Sequence, residues 1–213
     1  MGLVRVVGRA TAASIVVAVA LLVAGAPAGT VVPDPDLRGS APANAELVLT
    51  ATGAGMGVTG AVAPPSFNPL AGYPPGGPPT GSLPSNQSFA GVIVGRVPST
   101  GVTLNMYCID LGTPTQIGFG YTLGEWSESN VPNVGHVARL LNSYYPNSAL
   151  PALANNNERA AAVQASIWFF TDRYVLLTSN PLFSAVSGIV ADVLAAGPLV
   201  QPPAMSAPSW SSA

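Results

Sequence analysis

GVTLNMYCID at residues 101–110 and NNERAAAVQASIWFF at 156–170 carry two different periods, and the change between them decides the fold class. In the first, Val102, Leu104, Met106 and Cys108 recur every second residue, the repeat of a strand, with a turn at Ser99, Thr100 and Gly101 before it. The second is an alanine-rich helical run, and Asn155 and Glu158 precede it at capping-box spacing, with Asn in place of Ser or Thr. Between the two, Val134, Val137, Ala138, Leu141, Tyr144 and Tyr145 fall at helical intervals; Asn133 can cap the start and Pro146 stops the run. A third helix is punctuated by Asn180 as N-cap, Pro181 at N1 and Gly197 at C′, with Leu182, Val186, Ile189 and Val193 along one face. Upstream, Glu46–Ala51, Ser88–Val97 and residues 117–123 are further strand candidates. Strands first and helices afterwards predict an α+β fold: a β-rich, sandwich- or barrel-like part packed on about three helices.

Composition narrows the function classes. Of the 213 residues only 8% are charged, while glycine and proline number 23 and 22. All seven basic residues are arginines (Arg5, Arg9, Arg38, Arg96, Arg139, Arg159, Arg173), so the chain has no lysine. Scattered cations of this kind do not neutralise phosphates, which argues against a nucleic-acid partner. One cysteine excludes an internal disulfide and a cysteine-rich zinc site, and one histidine excludes a multi-histidine metal site. No metal and no cofactor is expected.

The N-terminus has the layout of a Sec signal peptide. Arg5 and Arg9 form a positive n-region, residues 10–25 an apolar h-region, and Ala26-Pro27-Ala28 a cleavage site, which predicts cleavage after Ala28. An uncleaved anchor is the rival reading, since residues 10–33 are uncharged; beyond this segment no membrane contact is expected. The predicted organisation is a signal peptide at 1–28, a polar leader at 29–45 and a domain at 46–197. Within the domain, residues 63–84 hold eight prolines and four glycines and read as a long loop. Residues 198–213, rich in proline and serine, read as an unstructured tail, with truncation as one explanation of its end. The expected product is secreted or held at the cell surface, and monomeric.

Export makes the lone Cys108 informative, because exported proteins keep cysteines mostly in disulfides. A leftover one suggests intermolecular pairing or a thiol with a task. On the second helix, Gln164, Ile167, Trp168 and Thr171 share a face, so the Gln164 amide would be buried and would need a partner. A hydrogen bond to backbone is the plain reading of that pattern.

Residues 163–168, VQASIW, resemble the apolar-Gln-x-x-apolar-Trp motif of the thioester domains of Gram-positive surface adhesins. Residues 107–110, YCID, resemble that family's aromatic-Cys-apolar-Asp/Asn motif. Their order and separation of 56 residues fit, as do Tyr144-Tyr145-Pro146 between them and Phe169-Phe170-Thr171-Asp172 after the tryptophan. The resemblance covers residues 46–197 and implies a β-rich part packed on a helical part. It further implies a bond from the Cys108 sulfur to the Gln164 side-chain carbonyl carbon, made with loss of ammonia. Such a thioester is an acyl group activated towards amines. It implies a single-use, covalent binding module for an amine-bearing surface ligand (a protein lysine or a small amine), not an enzyme with turnover. Tyr107, Ile167, Trp168 and Phe169 are the candidates to shield the bond from water, and Asp110 to orient the strand end. The absence of lysine excludes the Lys–Asn isopeptide crosslinks common in neighbouring adhesin domains. A coding preference for arginine explains it most simply, although a carrier of an electrophile gains from lacking amines. No wall-sorting motif is present in the chain, a departure from the family's usual pattern.

Two alternatives remain at this level. A secreted cysteine hydrolase or acyltransferase could use Cys108 with His136 as base. An inert secreted interaction domain would use neither.

Overall fold

The computed structural model describes residues 3–8, 17–20, 46–112, 115, 117, 118, 120–124 and 131–200. Two strands lie in the predicted signal peptide, β1 (Leu3–Gly8) and β2 (Val17–Ala20). The domain adds β3 (Glu46–Val58), β4 (Gly60–Val62), β5 (Leu83–Pro84), β6 (Gln87–Arg96), β7 (Thr103–Cys108) and β8 (Gly120–Gly124). Then come α1 (Val134–Ser143), α2 (Asn156–Asp172), β9 (Tyr174–Leu176) and α3 (Phe183–Ala196). The described residues form an α+β fold of two antiparallel sheets and three helices.

By themselves the larger sheet's four domain strands form an open antiparallel sheet in the order β7–β6–β3–β8. In the full chain β2 adds to the free edge of β7, β1 adds to that of β8, and these two N-terminal strands pair with each other. The smaller sheet, β5–β4–β9, joins the Pro/Gly-rich loop to the strand that follows α2.

α2 is the centre of the molecule. Every residue from Ala160 to Thr171 is buried. A helix buried on all sides cannot be amphipathic, and its alanines at 160, 161, 162 and 165 let neighbouring backbones come close. The β3–β6 pair covers one side, and α1 and α3 cover others. The expected cap is present: Asn155 Oδ1 accepts the Glu158 N–H at 3.0 Å, and Glu158 Oε2 accepts the Ala154 N–H at 3.2 Å.

Several local expectations need correction. β3 runs seven residues beyond Ala51, through register shifts after Leu49, Thr52 and Met56, because glycines at 53, 55 and 57 let the strand bulge. Asn133 precedes α1 in the left-handed region and does not cap it; its Nδ2 donates instead to Phe170 O at 2.8 Å. α3 begins at Phe183, with Asn180 Oδ1 accepting the Leu182 N–H in the turn before it. Gly197 closes α3 as its C-cap, one position earlier than the expected C′, with φ 72°. Residues 117 and 118 form a turn, and the strand there begins at Gly120. The 63–84 loop is irregular except for a 3-10 turn at Pro69–Ala71 and the two residues of β5. It is nevertheless docked: Phe67 and Tyr73 pack on Phe169 at ring separations of 6.0 and 5.0 Å. The leader at 29–45 and tail residues 201–213 lie outside the described residues.

The approach of β3 to β6 seats α2. Gly55 lies opposite Gly91, and the Gly55 N–H donates to Asn157 Oδ1 at 3.2 Å, tying the sheet to the first turn of α2. A Cβ on Gly91 would strike the Ala54 carbonyl oxygen and Gly55 Cα, neither of which can step aside. Gly91→Ala should therefore lower unfolding stability by about 1–3 kcal/mol. Gly188→Ala in α3, where a Cβ meets open space, should leave it unchanged or raise it by up to about 1 kcal/mol. Urea titrations of the two variants check the contrast.

Candidate functional site

Cys108 is the last residue of β7 and Gln164 lies in mid-α2. Both are buried, at 5% and 1% exposure. The amide of Gln164 lies along the cysteine's own backbone: Cys108 N–H donates to Oε1 at 3.0 Å, and Nε2 donates to Cys108 O at 2.6 Å. The backbone partner anticipated for a buried Gln164 is thus the Cys108 peptide itself. Two bonds fix the plane of the amide, and the N–H on its oxygen polarises the carbonyl in the manner of an oxyanion donor.

The thiol has its own partner. Sγ donates to Asp110 O at 3.0 Å. Burial pushes the Cys108 thiol up to about 11, the Asp110 and Asp172 carboxylates push the same way, and the bonds to Asp110 O and Thr115 oppose them. At neutral pH the group is therefore an uncharged S–H. This differs from a hydrolytic cysteine, whose thiolate is held by an imidazolium. His136 stacks flat on Phe170, ring centroids 5.3 Å apart and planes within 12°. Burial, and then Arg139, shift it towards the neutral imidazole. The Cys108 hydrogen bond goes to Asp110 O and not to this ring.

The remaining expected residues lie on α2 or next to the end of β7. Tyr107 is fully buried and donates its hydroxyl to Tyr145 O at 2.9 Å, fastening β7 to the segment after α1. Asp110 Oδ1 accepts the Gly112 N–H at 2.8 Å, closing the turn after Cys108. Ile167 is fully buried, and Trp168 meets Tyr174 edge to face at 5.8 Å. Phe169 belongs to the aromatic group under the Pro/Gly-rich loop.

Asp172, quoted in the motif but given no role, emerges as a site residue. Its Oδ2 accepts from Thr171 Oγ1 at 2.7 Å and from the Leu111 N–H at 3.3 Å. Segment 108–111 is therefore pinned to α2 at both ends, at Gln164 and at Asp172. The dimensions agree: eight helical residues rise about 12 Å, and three extended residues reach about 10 Å. Only the spacing of Gln164 and Asp172, two turns apart, could have hinted at this.

Residues 105–195 match the thioester-domain family. The matched span holds the last four residues of β7, then β8, α1, α2, β9 and most of α3, and with them both Cys108 and Gln164. No curated protein and no solved structure matches the chain. The thioester-domain match supports a covalent-binding module of the adhesin type, a class that spends its bond once. Among the described residues no group of three or more His, Cys, Asp or Glu could hold a metal ion, and no helix is long and apolar enough to cross a membrane.

Burial also pushes the Asp172 carboxyl up, to about 6, against the Thr171 and Leu111 hydrogen bonds; Asp110 adds to the rise and Arg173 opposes it. Its ordinary value is 3.8. Between these values the folded state binds the extra proton, so Asp172 withdraws stability as pH rises through that window. Asp172→Asn should accordingly gain on the wild type by about 2 kcal/mol between pH 4 and pH 7. Melting curves of both proteins across that range measure the difference.

Proposed function

We propose that this chain is an exported surface module that captures an amine-bearing target through a Cys108–Gln164 thioester. The observation that carries the reading is the buried pairing of the Gln164 amide with the Cys108 peptide, within a segment matching the thioester-domain family. Residues 1–28 act as the export signal, cleaved after Ala28, and 46–197 as the binding domain, a monomer. The target's amine comes from a protein lysine or a small molecule.

The chemistry balances without a cofactor. Cys108 Sγ bonds to the Gln164 carbonyl carbon, the bond from that carbon to Nε2 breaks, and the thiol proton leaves with Nε2 as ammonia. Cys108 N–H stabilises the negative oxygen of the tetrahedral state. Because the resting group is S–H, proton transfer accompanies bond formation. On capture the target amine attacks the same carbon, an amide forms, and Cys108 departs as thiol with a proton from that amine. Tyr107, Ile167, Trp168 and Phe169 supply apolar cover that keeps water from competing, and Asp110 holds the turn.

Intact mass decides the matter. The secreted wild type should weigh one ammonia less than its summed residues, or carry one amine adduct. A fluorescent primary amine should label it once, at Gln164, and Cys108→Ala should take no label. A mass equal to the summed residues, with no adduct, refutes the reading. The crosslink closes a 56-residue separation, so its loss in Cys108→Ala should cost about 4 kcal/mol in the chain-entropy treatment, read from denaturant unfolding.

A further inference from the structure

The peptide unit between residues 110 and 111 touches both the thiol and Asp172. Its carbonyl, Asp110 O, accepts from Cys108 Sγ at 3.0 Å, and its amide, Leu111 N–H, donates to Asp172 Oδ2 at 3.3 Å. In a trans peptide the C=O and N–H point in opposite directions from one rigid plane. Whatever holds the N–H therefore aims the carbonyl. A negative acceptor on the N–H side also polarises the unit and strengthens its oxygen as an acceptor for the thiol. Thr171 Oγ1, itself braced on Ile167 O at 3.1 Å, fixes the carboxylate at 2.7 Å. Asp110 cannot serve in its place, because its own Oδ1 is turned to the Gly112 N–H.

We propose that Asp172 is the positioning residue of the crosslinking reaction: by holding the Leu111 N–H it turns the 110–111 peptide so that Asp110 O keeps the Cys108 thiol beside the Gln164 amide. Asp172 touches neither reacting atom and acts through that peptide plane. The inference rests on the thioester reading and adds a third participant to it.

The reaction is reversible in a way that isolates the step. Excess ammonia attacks the thioester, restoring the Gln164 amide and the Cys108 thiol on the folded domain. After desalting, closure releases ammonia again and is followed by intact mass. Asp172→Ala should close about tenfold more slowly than wild type or worse, and Asp172→Asn, which keeps an oxygen acceptor for Leu111 N–H, should recover most of the rate. Asp172→Glu keeps the charge but displaces the acceptor, and should close slowly as well; it carries the comparison if the alanine variant does not fold. Wild-type rates in Asp172→Ala or Asp172→Glu, or an Asp172→Asn as slow as alanine, overturn the assignment. A wild type that never shows the ammonia deficit overturns the thioester reading itself and this inference with it, an outcome recognisable before any variant is made.

Discussion

One side-chain amide pairing with the backbone N–H and C=O of a single residue organises this molecule. Gln164 could not be placed in the middle of a wholly buried helix without a donor and an acceptor to meet it, since an unpaired buried amide costs about 1–3 kcal/mol. The end of β7 supplies both from a single residue. That requirement fixes the height of β7 along α2 and leaves Cys108 as the residue next to the amide. Site and packing are in this sense the same arrangement: the contact that satisfies the helix interior also joins the two residues of the proposed thioester.

Around that pairing the environment sets the character of the sulfur. Burial and two carboxylates keep it an uncharged thiol, and the only histidine is occupied with an aromatic ring. A nucleophile for repeated turnover needs the opposite conditions, an accessible thiolate with a base close by. The single-use bond proposed here, to a residue already hydrogen-bonded to the cysteine backbone, does not. The thioester-domain match over 105–195 agrees with this division of labour, and strands 46–96 outside the match provide the surface on which α2 rests.

Much of this was legible in the chain. The change from two-residue to helical period gave the α+β class, the Asn155–Glu158 cap gave the start of α2, and the two short motifs gave Cys108 and Gln164. What escaped were features that depend on partners distant in sequence. Asn133 resembled a helix cap, but a carbonyl at residue 170 drew its side chain away. The 63–84 loop offered no periodicity, yet Phe67 and Tyr73 bind it to α2 across about a hundred residues. Asp172 stood only as the last residue of a motif, and its bond to the returning turn at Leu111 has no sign in the sequence around it. Long-range hydrogen bonds from backbone to side chain leave no local trace, and each of these three features depends on one or on aromatic packing.

The arginines of the helical half are spent on carbonyl oxygens. Arg139 holds Gly197 O, Arg159 holds Pro151 O and Leu153 O, and Arg173 reaches Ala63 O. Trypsin cuts only beside lysine or arginine and must draw several flanking residues into an extended form. With no lysine to offer, and with these guanidinium groups clasping the loops that would have to open, the folded domain presents that protease with few places to begin.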